Sequence, residues 1–262
     1  MSDISVIYED ADLAVINKPP GVTVNNAITN RSETIQQWWQ AYLNKYEGDA
    51  IFGDWNALVP PDFSGEYGSP VEIFQQRGGV VHRLDKDTSG ALLLAKNPGS
   101  LVQLLSQFKQ RKVKKTYQAL LHGRLSVVQA ELNYPIMRSS RDRQKMFVHP
   151  DGRLAQTAYK VLAEFVDPVT ENEKLTLVDC FPKTGRMHQI RVHFAHIRHP
   201  LVCDRLYAGR KRYKQDLTWC PRHFLHASCI EFSHPRTNEA VRILAPLSID
   251  LGESLKSLKK IS

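Results

Sequence analysis

The chain opens with two β-rich runs, ISVIYED and LAVINKP, parted by Asp10-Ala11-Asp12, a spacing that predicts a hairpin ending at Lys18-Pro19-Pro20-Gly21. Runs of the same kind recur along the chain: GALLLAK, TYQALLHG, TAYKVLAEF, KLTLVDCFP, FLHASCIEF and AVRILAP alternate or run apolar as strands do. Strands therefore dominate, with a few helices among them. In SETIQQWWQAYLNKY the apolar residues Ile35, Trp38, Trp39, Tyr42, Leu43 and Tyr46 fall on one helical face, with Ser32 as the N-cap. SLVQLLSQF places Leu101, Leu104, Leu105 and Phe108 on one face, and HQIRVHFAHI fits a short helix.

Between these elements, residues 47–79 carry glycine and proline throughout and read as a long loop, a candidate lid. With 262 residues and no internal repeat, the chain suits one large domain with an insertion at about 22–79. Its end, ESLKSLKKIS, reads as a frayed basic tail over 251–262.

Thirty-five Lys and Arg against 27 Asp and Glu give a net charge of +8, which favours an anionic partner, with nucleic acid the leading class. Cys180, Cys203, Cys220 and Cys229 lack C-x-x-C spacing and read as reduced thiols. The opening MSDISVIYED has no basic segment followed by an apolar one, and no run reaches the roughly 18 apolar residues of a membrane span. A cytoplasmic protein is expected, monomeric by default.

The densest polar stretch is VVHRLDKDTSGALLLAKN, residues 80–97. Asp85 and Asp87 would share a face if extended and could hold a divalent metal for phosphodiester cleavage, but Asp87-Thr88-Ser89-Gly90 fits a turn equally, and the turn is the commoner use. His188, His193, His196 and His199 invite a zinc reading, yet no His-Glu-x-x-His pattern or finger-spaced cysteine accompanies them, so core or hydrogen-bonding histidines are expected. Neither a glycine-rich phosphate loop nor a G-x-S-x-G elbow is present, so no nucleotide cofactor is expected. What remains is Asp85 with two arginine-bearing segments, RLD at 83–85 and TGRMHQIRVH at 184–193. An arginine beside a partly buried aspartate favours the ionised form and yields a carboxylate ready to act as nucleophile or base; a structural ion pair is the plainer alternative.

HRLDKDTSG with LLLAK, then KKTYQAL, then TGRMHQIRVHFAHIRHPLVCDRLYAG, then FLHASCIEFSHP, resemble in type, order and spacing the RNA pseudouridine synthases of the group that includes the uridine modifiers of large-subunit ribosomal RNA. The resemblance runs from YEDADLAVINKPPGV to Ala245-Pro246-Leu247. It implies an α+β catalytic domain over 1–250 with a central mixed, largely antiparallel sheet, and isomerisation of uridine to pseudouridine in ribosomal or transfer RNA without cofactor or metal. By position, it makes Asp85 the catalytic aspartate, attacking C1′ or taking a proton from C2′. Arg83 becomes the arginine that fills the space of the flipped-out uridine. Tyr117 is matched to the tyrosine that stacks on the uracil, and Arg191 to the partner of the aspartate. Flipping costs roughly a few kcal/mol of stacking, which a planar guanidinium and an aromatic face can partly offset. The basic runs KQRKVKK (109–115) and RKRYK (210–214) are the candidate phosphate contacts.

Two departures stand out. Relatives commonly have glycine where this chain has Cys203, and the N-terminal RNA-binding domain carried by many of them is not expected here. Outside the isomerase reading, an RNA-binding or RNA-chaperone protein of the same fold and a metal-dependent nuclease on Asp85 and Asp87 are the alternatives.

Overall fold

A computed structural model describes residues 4–26, 32–45 and 54–261. It divides into two compact units, the first comprising residues 1–113 with 229–246 and the second 114–228 with 247–262.

In the first unit, β1 (Ser5–Glu9) and β2 (Leu13–Lys18) form the expected antiparallel hairpin, its turn closed by Asp10 Oδ1, which accepts from the Asp12 and Leu13 amides at 2.7 and 2.9 Å. β2 then pairs antiparallel with β3 (Ser89–Ala95), so that Lys18 lies opposite Gly90. The N-cap of α1 (Ile35–Asn44) is Thr34 rather than Ser32, because Thr34 and Gln37 form a reciprocal capping box. Tyr46, given to that helix on sequence, lies outside the described residues.

The expected loop over 47–79 falls partly outside the described residues and is partly wrong. Pro70–Arg77 form α2, started by the Ser69–Glu72 capping box with Pro70 at the first position and ended by Gly78 in the left-handed region. Leu58 and Ile73 anchor the described part of this segment by their burial, while most of its other residues, Tyr67 and Val71 among them, are exposed. α3 (Pro98–Lys109) follows, capped by Asn97. Leu13, Val15, Leu93, Leu101 and Leu104 form the core together with Ile230 and Phe232.

In the second unit the strand order is β10 (Leu225–Ser233), β4 (Lys114–His122), β9 (Lys174–Pro182), β8 (Gln156–Val166) and β5 (Gln129–Asn133). The β4–β9, β8–β9 and β5–β8 pairs are antiparallel. Strand β10 continues past Ser228 into the first unit, where β11 (Ala240–Leu244) pairs with it antiparallel. A separate hairpin joins β6 (Ile136–Arg138) to β7 (Met146–Val148). One face of β4 packs through Ala119 and Leu121 against Ile190 and Phe194 of α4 (Gln189–His196).

RKRYK, read as a basic patch, lies in a helix, α5 (Arg210–Asp216). The frayed tail is a second correction. Ile249–Lys256 form α6, Leu251 and Leu258 are buried, and the Ile261 amide donates to the Glu164 carbonyl at 2.8 Å. Glu253 and Lys256 lie on the exposed face of this helix, and Lys259 and Lys260 follow it, the Lys259 carbonyl accepting from the Val166 amide at 2.9 Å.

Candidate active site

Val80–Thr88 form the loop between α2 and β3, and the first unit holds it from three sides. Gly79 precedes it with φ +74°; a Cβ there would stand 2.4 Å from the Ala95 carbonyl oxygen and 2.7 Å from Trp39 Nε1, so only glycine fits. Within the loop, Arg77 donates from Nε to the Val80 carbonyl and from Nη2 to that of Val81. His82 Nε2 accepts from the Leu93 amide at 3.0 Å, which places any proton of a neutral ring on Nδ1, and the ring stacks on Phe108.

The third hold comes from Lys18, whose side chain is fully buried. Its ammonium donates to the carbonyls of Pro19, Val22 and Lys86 at 2.7, 3.0 and 3.0 Å. Beyond it, the Thr88 amide donates to the Asp85 carbonyl and closes a turn over Lys86 and Asp87. That turn lifts the charged side chains outward: Leu84 is buried, Asp85 half-buried, and Arg83, Lys86 and Asp87 exposed. Arg83 and Asp85, two of the expected site residues, thus share one loop.

The other two lie in the second unit. Tyr117, on β4 opposite Cys180 of β9, is half-buried and packs against the cluster that holds Ile190. Arg191, on the next position of α4, is buried and forms a bidentate pair with Asp204: Nε to Oδ2 at 2.7 Å and Nη2 to Oδ1 at 2.9 Å. The guanidinium also lies 5.2 Å from the centre of the Tyr207 ring. Burial pushes the Asp204 carboxyl upward, but hydrogen bonds and charge from Arg191 outweigh it and hold the group below the usual carboxylate range. Nearby His223 is driven down to about 3, first by burial and then by the charge of Arg191, so it stays neutral.

Among the described residues, clusters with metal-ligand geometry are Asp10, Asp12 and His234, and His122, Asp167 and Asp216; neither includes Asp85 or Asp87. Their groups already serve the fold, since Arg236 forks onto Asp12 at 2.6 and 2.7 Å and His122 bonds Asp216 at 2.9 Å. In α4, His193 is buried and hydrogen-bonded, its Nδ1 meeting the Thr157 hydroxyl and its Nε2 the Tyr134 carbonyl, both at 3.0 Å, whereas His196 is exposed with its ring against Tyr134. Cys180, Cys203, Cys220 and Cys229 are buried free thiols. No helix among the described residues is long and apolar enough to cross a membrane.

A model of the RNA pseudouridylate synthase family matches residues 70–196, which takes in the 80–88 loop, Tyr117 and Arg191. The chain is 36% identical over 258 residues to an RNA pseudouridine synthase, YlyB, of Bacillus subtilis, covering 98% of this chain and 74% of that protein. The chain belongs to the RNA pseudouridine synthase family. It is 35% identical to ribosomal large subunit pseudouridine synthase D of Buchnera aphidicola, covering 96% and 72% of the two chains. Human RNA pseudouridylate synthase domain containing 1 shares the fold, with a TM-score of 0.69 at 24% identity over 99% of this chain and 89% of that one. The expected α+β architecture with a mixed, mostly antiparallel sheet is therefore the synthase fold, and isomerisation of uridine to pseudouridine in RNA is its activity.

Sequence alone does not single out Lys18, Asp204 and Tyr207, which hold the loop and the arginine of the candidate site. Asp204 and Tyr207 sit in the quoted CDRLYAG, but nothing in that run says which arginine they serve. Lys18 was read as the end of a hairpin; a lysine between an apolar strand and Pro-Pro-Gly was the available signal.

Proposed function

We propose that the synthase acts on large-subunit ribosomal RNA, with Asp85 as its essential carboxylate. The observation that supports this most directly is the loop itself: Arg83 and Asp85 stand on a backbone fixed by Lys18, Arg77 and His82, with Arg83 exposed and Asp85 half-buried. A rigid backbone beneath a catalytic carboxylate keeps its oxygens in place for the reacting atom. In this reading the target uridine leaves the RNA stack, Arg83 fills its place, and the uracil rests on Tyr117.

Asp85 then attacks C1′ or removes the C2′ proton, and the C1′–N1 bond breaks with its electrons on the uracil. The base turns, C5 bonds to C1′ as the bond from Asp85 to C1′ breaks or the proton returns to C2′, the C5 proton leaves to water and N1 takes one up, so the product is an isomer of the uridine. Arg191 is assigned to hold Asp85 ionised, itself oriented by Asp204 and Tyr207. Exposed Arg111, Lys112 and Lys114, with Arg210 and Lys211, serve as phosphate contacts, and the 22–79 segment contributes to target choice. The relatives named for the ribosomal large subunit favour this RNA over transfer RNA. We assign the synthase to the cytoplasm as a monomer that needs no cofactor.

The test uses ribosomal RNA and transfer RNA separately, each tritiated at uracil C5. Wild type should release tritium to water from ribosomal RNA, and Asp85→Asn should release none while still binding. Equal release by Asp85→Asn would sink the assignment, and shortened RNA lost on adding chelator would mean a nuclease.

A further inference from the structure

Of the five cations in KQRKVKK, Lys115 is placed differently from its neighbours. Arg111, Lys112 and Lys114 are exposed, whereas Lys115 is partly buried. Strand alternation puts Lys115 on the same face of β4 as Tyr117, Ala119 and Leu121. Ala119 and Leu121 are in the core beneath α4, and Tyr117 packs at its margin. The row therefore passes from core, to aromatic ring, to ammonium, with Lys115 about 7 Å beyond Tyr117 along the strand.

Opposite this ammonium stands Gly185, in the Thr184-Gly185-Arg186 turn before α4. Its backbone does not use the left-handed region, so conformation does not call for glycine here. A Cβ at 185 would have one heavy atom within 4 Å, Lys115 Nζ at 4.0 Å. The missing side chain leaves room in front of a cation, on the face that carries Tyr117. Glycine with nothing to relieve and space before it suits close approach of a ligand to backbone.

We infer that Lys115 and Gly185 form a seat for one RNA phosphate beside the nucleotide whose base stacks on Tyr117. The inference rests on the proposed role of Tyr117. A compact ammonium is suited to a phosphate as a point charge, and the span from Tyr117 to Lys115 is of the order that separates a base from a neighbouring backbone phosphate. Lys115 is thereby a substrate-positioning residue, separate from the exposed cations that attract RNA at longer range.

The test measures binding of an unmodified large-subunit ribosomal RNA transcript across a range of potassium chloride concentrations. Lys115→Met should weaken binding about ten-fold at low salt. It should also reduce the slope of log K against log salt by about 0.7 to 0.9, the loss of one neutralised phosphate, and Lys115→Arg should restore the slope. Gly185→Leu should weaken binding while melting as wild type does. An unchanged slope in Lys115→Met, or full binding by Gly185→Leu, would overturn the seat. Failure of the uridine reading shows separately, as wild type that binds this RNA and releases no tritium.

Discussion

The ammonium of Lys18 lies 3.0 Å from the carbonyl oxygen of Lys86, one residue beyond Asp85. A lysine at the end of β2 thus fixes the backbone of the loop that carries the proposed catalytic carboxylate, through two further carbonyls on its own strand's exit, Pro19 and Val22. The cation is completely buried, and these oxygens replace water that it gives up.

Lys18→Met should keep the apolar stem and remove those bonds, leaving carbonyls at Pro19, Val22 and Lys86 without this donor. We expect a loss of about 2 to 4 kcal/mol in denaturant unfolding. Turnover should fall further than RNA binding, because Arg83 and Asp85 lose their fixed backbone while the exposed basic surface is untouched. Equal losses in kcat and affinity would argue against a positioning role.

Asp204→Asn breaks one of the two charge-assisted bonds to Arg191 and removes the neutralising charge from a buried guanidinium. Such a break costs about 3 to 5 kcal/mol where the partner cannot reach water, and Arg191 is 5% exposed. The variant should melt lower than wild type, and any folded fraction should release tritium slowly. A stable, fully active Asp204→Asn would show that Arg191 is oriented by other groups.

The strands and long helices were legible because their apolar periods are set by burial on one face, as in GALLLAK over β3 and SLVQLLSQF over α3. Asp85, Arg83, Tyr117 and Arg191 are proposed as site residues on ordered motifs, since an Asp two residues after an Arg has many uses on its own. What stayed hidden was relational. Lys18 bonds Lys86 across 68 positions, and Arg191 meets Asp204 at a separation of 13; no local pattern encodes either pairing. In the last segment the apolar signal is sparse: Leu251 and Leu255 in α6 and Leu258 just beyond it are its inward residues, set among Lys256, Lys259 and Lys260.

Stability should fall on mild acidification through His223. Its folded pKa, about 3, lies below the ordinary value of 6.5, so the unfolded chain binds the extra proton between those limits. The contribution is complete above about pH 6.5 and is lost as pH falls toward 3, by about 1.4 kcal/mol per pH unit from this residue. His193, also lowered by burial, adds in the same direction. Asp204, held low in the fold, adds its own loss only below the ordinary carboxylate range. Chemical denaturation between pH 7 and pH 4.5 should therefore show a slope that His223→Gln reduces. An identical slope in a folded His223→Gln would mean that other groups take up the proton.

Cys203 gives an ordering that differs from ordinary core behaviour. Its φ is +55°, in the left-handed region where a Cβ costs about 1 kcal/mol or more, and its amide donates to Asp216 Oδ2 at 2.7 Å, which holds the backbone there. The thiol is buried against the cluster of Phe224 and Leu251. Cys203→Ala loses that packing and keeps the strained Cβ, whereas Cys203→Gly loses the packing and relieves the strain. At most buried sites alanine is the better tolerated of the two; here glycine should be, by about 1 kcal/mol in parallel urea melts. Alanine melting at higher urea than glycine would show that the left-handed backbone at 203 stores no such strain.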